Sequence, residues 1–290
     1  MSVKDPTGGR ADRFPGSVSK PAFPYLLVAA FALTLLGSLR VAEVDPRAFW
    51  SPGTLANIAR FVGGMFPPRL EPEFLGLMLG PAAETIQISV MGTVIAVVVA
   101  VPLGLLATSS LMWRGILHER RPSAARRALG VVGYGAARAV LSVFRSIPEY
   151  VWAFMFVRAV GLGPFPGVLA IGVAYGGMLG KVYSEILEQV NPRPLEALHA
   201  GGATRLGVVL YGLVPQALPN LVSYTLYRWE CAIRASAILG FVGAGGLGQQ
   251  VELSMRMFQF DELLTLLGML FVLVAAVDFV SGRIRRRLVR

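Results

Sequence analysis

The sequence predicts an all-α fold, a polytopic bundle of six helices that cross a membrane. Three observations carry that expectation. Of 290 residues, 54% are hydrophobic and only 15% are charged, too apolar a balance for a soluble domain of this size. Six apolar runs recur along the chain, parted by glycine, proline and charge. Arginines gather in alternate connections, which assigns sides by the positive-inside rule. The 27 lysines and arginines against 17 acids would also suit nucleic acid, yet no polar domain is left to present such a surface. These charges read instead as orienting loops that meet anionic membrane lipid, with no nucleic-acid partner. Cys231 is alone, and His118 and His199 lie far apart without cysteines at ligand spacing, so neither a disulfide framework nor a metal site is expected.

Taken in order, residues 1–23 set Lys4, Arg10, Arg13 and Lys20 among Pro, Gly and Ser, the composition of a disordered basic arm on the cytoplasmic side. Residues 24–39 form the first span. A secretory signal is the alternative, but the leading segment is long and no small-residue cleavage pattern precedes Arg40. Across 41–80 the acids Glu43, Asp45, Glu71 and Glu73 balance Arg40, Arg47, Arg60 and Arg69, which suits an external loop, so 24–80 is one region. Within it, 61–66 and 74–79 are too short to span and are expected at the interface, near Trp50. Residues 84–108 are the second span, with Pro102 and Gly104 kinking its inner end. Arg114, Arg120, Arg121, Arg126 and Arg127 then mark a cytoplasmic loop. Arg138 and Arg145 share one helical face, which places 128–144 near the inner surface and leaves 147–162 as the third crossing. Gly161-Leu162-Gly163-Pro164 turns the chain outside, and 165–181 returns with Gly176, Gly177 and Gly180 available for close helix contact. Residues 219–241 go out, 242–261 connect externally, and 262–280 come back to the arginine-rich tail 283–290. Both termini are expected in the cytoplasm.

Between the fourth and fifth spans stands a polar element, Glu196-Ala197-Leu198-His199-Ala200-Gly201-Gly202, with Pro215 thirteen residues on. Asn191 can cap and Pro192 can start a short helix, the glycine pair can end it, and Thr204 can cap a second helix running towards Pro215. Spans on either side force this element out at a membrane face. The fifth span itself carries Tyr227-Arg228-Trp229-Glu230-Cys231-Ala232-Ile233-Arg234, three charges where one arginine costs on the order of 3 kcal/mol. Glu230 and Arg234 are four apart and can neutralise each other. Arg228 points about 160° away from Glu230 and needs another partner, either a passing anion or Glu149, which follows Ser146-Ile147-Pro148.

Gly243-Ala244-Gly245-Gly246-Leu247-Gly248 matches G-x-G-x-x-G, but a dinucleotide site needs a βαβ unit that is not here. Close-packed helices around a gate are the better reading, and the amides could also cradle an anion. Gly180-Lys181 is no phosphate loop, because Tyr175 stands where its first glycine must be and Val182 where Ser or Thr must be. Without a usable Ser, His and carboxylate set, the chain is expected to be no enzyme, with no catalytic residues and no cofactor.

The spacing from Glu196-Ala197 to Gly202 and on to Pro215 resembles the coupling loop of ATP-binding cassette (ABC) importer permeases, with Gly212 and Val214 where Ile and Leu are usual. Together with Arg145-Ser146-Ile147-Pro148-Glu149, Gly161-Leu162-Gly163-Pro164, Pro215-Gln216, Pro219, Tyr227-Arg228-Trp229-Glu230, Arg234 and Val242 to Gly248, it resembles the permease subunit of phosphonate importers over about residues 82–290. The resemblance implies a type I importer permease fold, shared with methionine importers, in an inner membrane. It implies a homodimer of this chain, two copies of a separate ATPase and an external solute-binding protein. On it, 81–282 is the permease core with a coupling loop at 185–215. Arg193, Glu196, Ala197, Gly202 and Pro215 would meet the ATPase, and Arg228, Glu230, Arg234 and Glu149 would line the substrate path. Gly243, Gly245, Gly246 and Gly248 would form the gate. An intramembrane arginine pair favours an oxygen-rich phosphorus anion over methionine or another small solute. An ion-coupled secondary transporter is the competing class, and it would normally show an internal repeat that this chain lacks.

Overall fold

A computed structural model describes residues 23–42, 46–112 and 124–288, in which every regular element is helical. The basic arm, Glu43, Asp45, Arg114, His118, Arg120, Arg121 and Arg290 lie outside the described residues, and so does the Arg126 side chain. Two units separate, 1–59 and 60–290. The first holds α1 (Phe23–Val41), α2 (Pro46–Phe49) and the start of α3 (Pro52–Gly64). Every described side chain of α1 is exposed, and its Thr34 hydroxyl folds back onto the Ala30 and Phe31 carbonyls, which hides a polar group in an apolar helix.

The second unit is built on α4 (Pro72–Leu106), packed along its length against α8 (Pro164–Glu188). Pro72 starts α4 where its missing N–H costs nothing, so 74–79 are its first turns and not a separate interfacial piece. Phe74 is buried there with Leu247, Val251, Leu263 and Leu266. Small residues set the helix spacing. A methyl group on Gly172 would lie 2.6 Å from Ile95 of α4, and one on Gly177 would lie 2.6 Å from Phe144 and 2.8 Å from the Arg145 backbone nitrogen.

After α5 (Ser109–Met112) the third crossing is a broken pair, α6 (Ala124–Ser146) and α7 (Glu149–Val160). Pro148 lacks the N–H needed to continue α6. The twelve residues of α7 reach only about 18 Å, short of a bilayer, whereas Arg127–Ser146 is long and apolar enough to cross. The end of α6 lies along α8, and α7 continues it. Arg138 needs no headgroup, because its guanidinium stacks on the Tyr134 ring at 4.7 Å and faces Glu188 at 3.6 Å.

The chain continues through α9 (Pro192–Ala200), α10 (Arg205–Val208), a π-helical turn (Val209–Leu213) and α11 (Val214–Gly240). Arg205–Gly240 is one continuous helical stretch of 36 residues that includes a window apolar enough to cross a membrane. The wide turn falls just before Pro215, whose ring would clash with the carbonyl four residues back in a regular helix. The expected external connection then contains α12 (Gly246–Arg256), which packs on α4, α11 and α13 (Phe260–Leu288). Five helices among the described residues are long and apolar enough to cross a membrane, and Tyr25–Val41 adds a shorter apolar one.

Candidate functional site

The polar element folds as its residues dictate. The Asn191 side chain accepts the Arg193 N–H at 3.1 Å, and Thr204 accepts the Gly207 N–H at 3.2 Å. Gly202 adopts φ +88, and the Ala203 N–H reaches back to the Leu198 carbonyl at 3.1 Å, closing α9. Arg193, Glu196, Ala197, Gly202 and Pro215 are all exposed. Gly212 is buried because a side chain there would strike Leu195 and Leu198 of α9, so the residue that departs from the expected Ile seats α9 against the π turn. Gln216 donates its side-chain amide to the Gly212 carbonyl at 2.9 Å, supporting the widened turn. A groove of about 310 Å³ opens beside α9, with Leu187, Leu195, Leu213, Glu188 and Glu196 among its walls.

The charges of α11 sort themselves differently from expectation. Glu230 is buried and is held by Arg285 of α13, and Arg234 faces Asp278 of α13 at 3.8 Å. The expected Glu230–Arg234 pair does not form, because α13 brings an opposite charge to each. Arg228 also forms no ion pair with Glu149, and no described carboxylate lies within 4.0 Å of it. Its Nε donates to the Tyr224 hydroxyl at 3.0 Å, and its guanidinium lies over the rings of Tyr224, Tyr175 and Tyr227 at 5.4, 5.6 and 6.0 Å. Three aromatic faces thus stabilise a cation and leave its remaining N–H groups free for an acceptor.

The glycine turn is tightly held. Gly243, Gly245 and Gly246 all take positive φ, which side chains resist. A side chain on Gly248 would overlap the Ala237 carbonyl of α11. One amide of the turn meets an anion, and it is the protein's own. The Gly246 N–H donates to the Glu84 carboxylate at 2.6 Å, and the Leu247 N–H donates to Thr85 at 2.9 Å. The Gly163 N–H donates to the Gly243 carbonyl at 3.0 Å, joining this turn to the α7–α8 turn.

Sequence reasoning missed Glu84, Arg285, Asp278 and Glu188. Glu84 opens an apolar run that follows Pro81, and a carboxylate at the head of a span was a usable signal. The other three find their partners only through tertiary packing. Arg69 donates to the Glu71 and Glu262 carboxylates, and these hydrogen bonds, that to Glu71 first, hold its guanidinium above its ordinary range and tie the approach to α4 to α13.

Known proteins resemble this chain. The putative phosphite transport system permease protein HtxC of Stutzerimonas stutzeri is 37% identical over 234 residues, covering 80% of this chain and 76% of that one. The phosphite transport system permease protein PtxC of the same organism is 36% identical over 258 residues, covering 88% and 86%. A chain of the solved structure "Inward facing conformations of the MetNI methionine ABC transporter: CY5 native crystal form" superposes with a TM-score of 0.62 at 25% identity, over 76% of this chain and 100% of that chain. Residues 123–290 match the family model described as binding-protein-dependent transport system inner membrane component, and this chain belongs to that family.

Proposed function

We propose that the chain is the membrane subunit of an ATP-driven importer for a small phosphorus oxyanion, such as phosphite or a phosphonate. The observation that carries this reading is Arg228, a half-buried cation in a box of three tyrosines with no described carboxylate to answer it. An oxygen-rich anion gains most from such a guanidinium, and the phosphite permeases among its relatives agree with that chemistry. On this reading two copies of the chain enclose the path, a solute-binding protein delivers from outside, and two ATPase subunits press on α9 around Glu196. Both termini then face the cytoplasm. Glu230 and Arg234 act as structural charges bonded to α13, Glu149 lies at the break between α6 and α7, and the turn at Gly243, Gly245, Gly246 and Gly248 closes the outer end.

The test is uptake of labelled phosphite, a phosphonate and methionine by vesicles holding the full transporter. Phosphorus oxyanion uptake should fall at least about tenfold in Arg228→Ala, the loss of one charged hydrogen bond to substrate. Methionine uptake, or unchanged oxyanion uptake in the variant, would refute the substrate assignment.

A further inference from the structure

The carboxylate of Glu84 occupies an unusual position. It sits more than three turns into α4, half-buried, and none of the described residues offers it a cation within 4.0 Å. Its partner is backbone, the Gly246 N–H at 2.6 Å, at the amino end of the eleven-residue α12 where the helix dipole is positive. The neighbouring position repeats the arrangement, since Thr85 accepts the Leu247 N–H at 2.9 Å and its carbonyl accepts the Ser236 hydroxyl of α11 at 3.3 Å. The turn is shaped around this carboxylate. A side chain on Gly245 would meet the Glu84 carboxyl carbon and oxygens at 3.0 to 3.1 Å, and one on Gly246 would meet the Thr85 hydroxyl at 2.6 Å. Both glycines also hold positive φ. One charged side chain therefore fastens α4 to the turn that joins α11 to α12, and through Gly243 and Gly163 to the turn before α8.

We propose that Glu84 is the latch of the outer gate, holding the glycine turn closed against α4 until transport separates them. The inference rests on the transport reading above, and it names the residue on the facing helix that the glycine motif engages. A hydrogen bond to a charged acceptor that exists in only one of two states biases the equilibrium towards that state by about tenfold or more. Releasing it should let the outer end open without a delivery protein.

The experiment compares ATP hydrolysis by the full transporter in lipid vesicles, with and without its solute-binding protein, for the unaltered chain, Glu84→Ala, Glu84→Gln and Gly245→Ala. The latch predicts that hydrolysis without the binding protein rises about tenfold in Glu84→Ala and less in Glu84→Gln, whose amide oxygen still accepts. Gly245→Ala, which crowds the carboxylate, should raise it as well, and its effect should shrink in the Glu84→Ala background. A residue that only supports folding would lower both activities in proportion and leave their ratio unmoved. If Glu84→Ala fails to assemble, Glu84→Gln and Gly245→Ala carry the comparison. An unchanged ratio in every variant that assembles would overturn the latch. Failure of the unaltered transporter to take up any phosphorus oxyanion would instead strike the substrate reading and leave the hydrolysis comparison able to decide the latch.

Discussion

The carboxylate of Glu188 stands 3.6 Å from the Arg138 guanidinium, and its Oε1 also accepts the Ser109 N–H at 2.7 Å. Arg138 in turn donates to the Ala107 carbonyl at 3.3 Å. The end of α4, the start of α5, the middle of α6 and the end of α8 thus meet at one ion pair, three residues before the cap of α9. On the transport reading proposed above, this joint is one route by which movement of α9 would reach α4 and α6, alongside the path through the π turn to α11.

Glu188→Ala should therefore uncouple more than it unfolds. The pair is partly solvated, so its loss costs about 1 kcal/mol of stability, a shift of a few degrees in thermal unfolding. The number of ATP molecules hydrolysed per solute imported should rise at least about threefold, and a ratio equal to that of the unaltered protein would count against the joint.

Arg285→Ala leaves Glu230 buried without its partner, which costs about 3–5 kcal/mol. The Glu230→Gln, Arg285→Gln double variant removes both charges and should recover most of that loss. Thermal unfolding in detergent of the unaltered protein, Glu230→Gln, Arg285→Gln and the double variant gives the coupling directly.

Gly177→Ala places a methyl group 2.6 Å from the Phe144 side chain and 2.8 Å from a backbone nitrogen, where little can yield. We expect destabilisation of about 1–3 kcal/mol and a lower yield of assembled protein. The same change at Gly133 or Gly268, with open space around each, should be nearly silent or slightly stabilising.

Gly202→Asp tests the turn that closes α9. Its φ of +88 is one that Asp tolerates better than most residues, and nothing lies within 4 Å of the added atom, so the fold should survive. Uptake should fall at least about tenfold while the solute-binding protein still docks, measured by co-sedimentation with vesicles. Unchanged uptake would remove this turn from the coupling surface.

Much of the fold was legible because local chemistry decided it. Asn191, Pro192 and Thr204 cap and start their helices as their side chains demand. What escaped was non-local. Glu230 and Arg234 have the spacing of a helical pair, yet their partners lie on α13, and no periodicity in α11 announces them. The start of α4 was hidden by Pro81, which breaks the apolar pattern without breaking the helix. In the glycine turn, that an amide could hold an anion was readable, but not that Glu84, 162 residues away, would meet the Gly246 N–H.

The continuity of Arg205–Gly240 has a mechanical consequence. A single rod of that length measures about 54 Å, so rocking it by about 5° swings the far tip through roughly 5 Å. The π turn at Val209–Leu213 and Pro219 within α11 are its two interrupted points, so on the transport reading proposed above a push at the α9 end would travel along the rod to Arg228 with its yield concentrated at those two places.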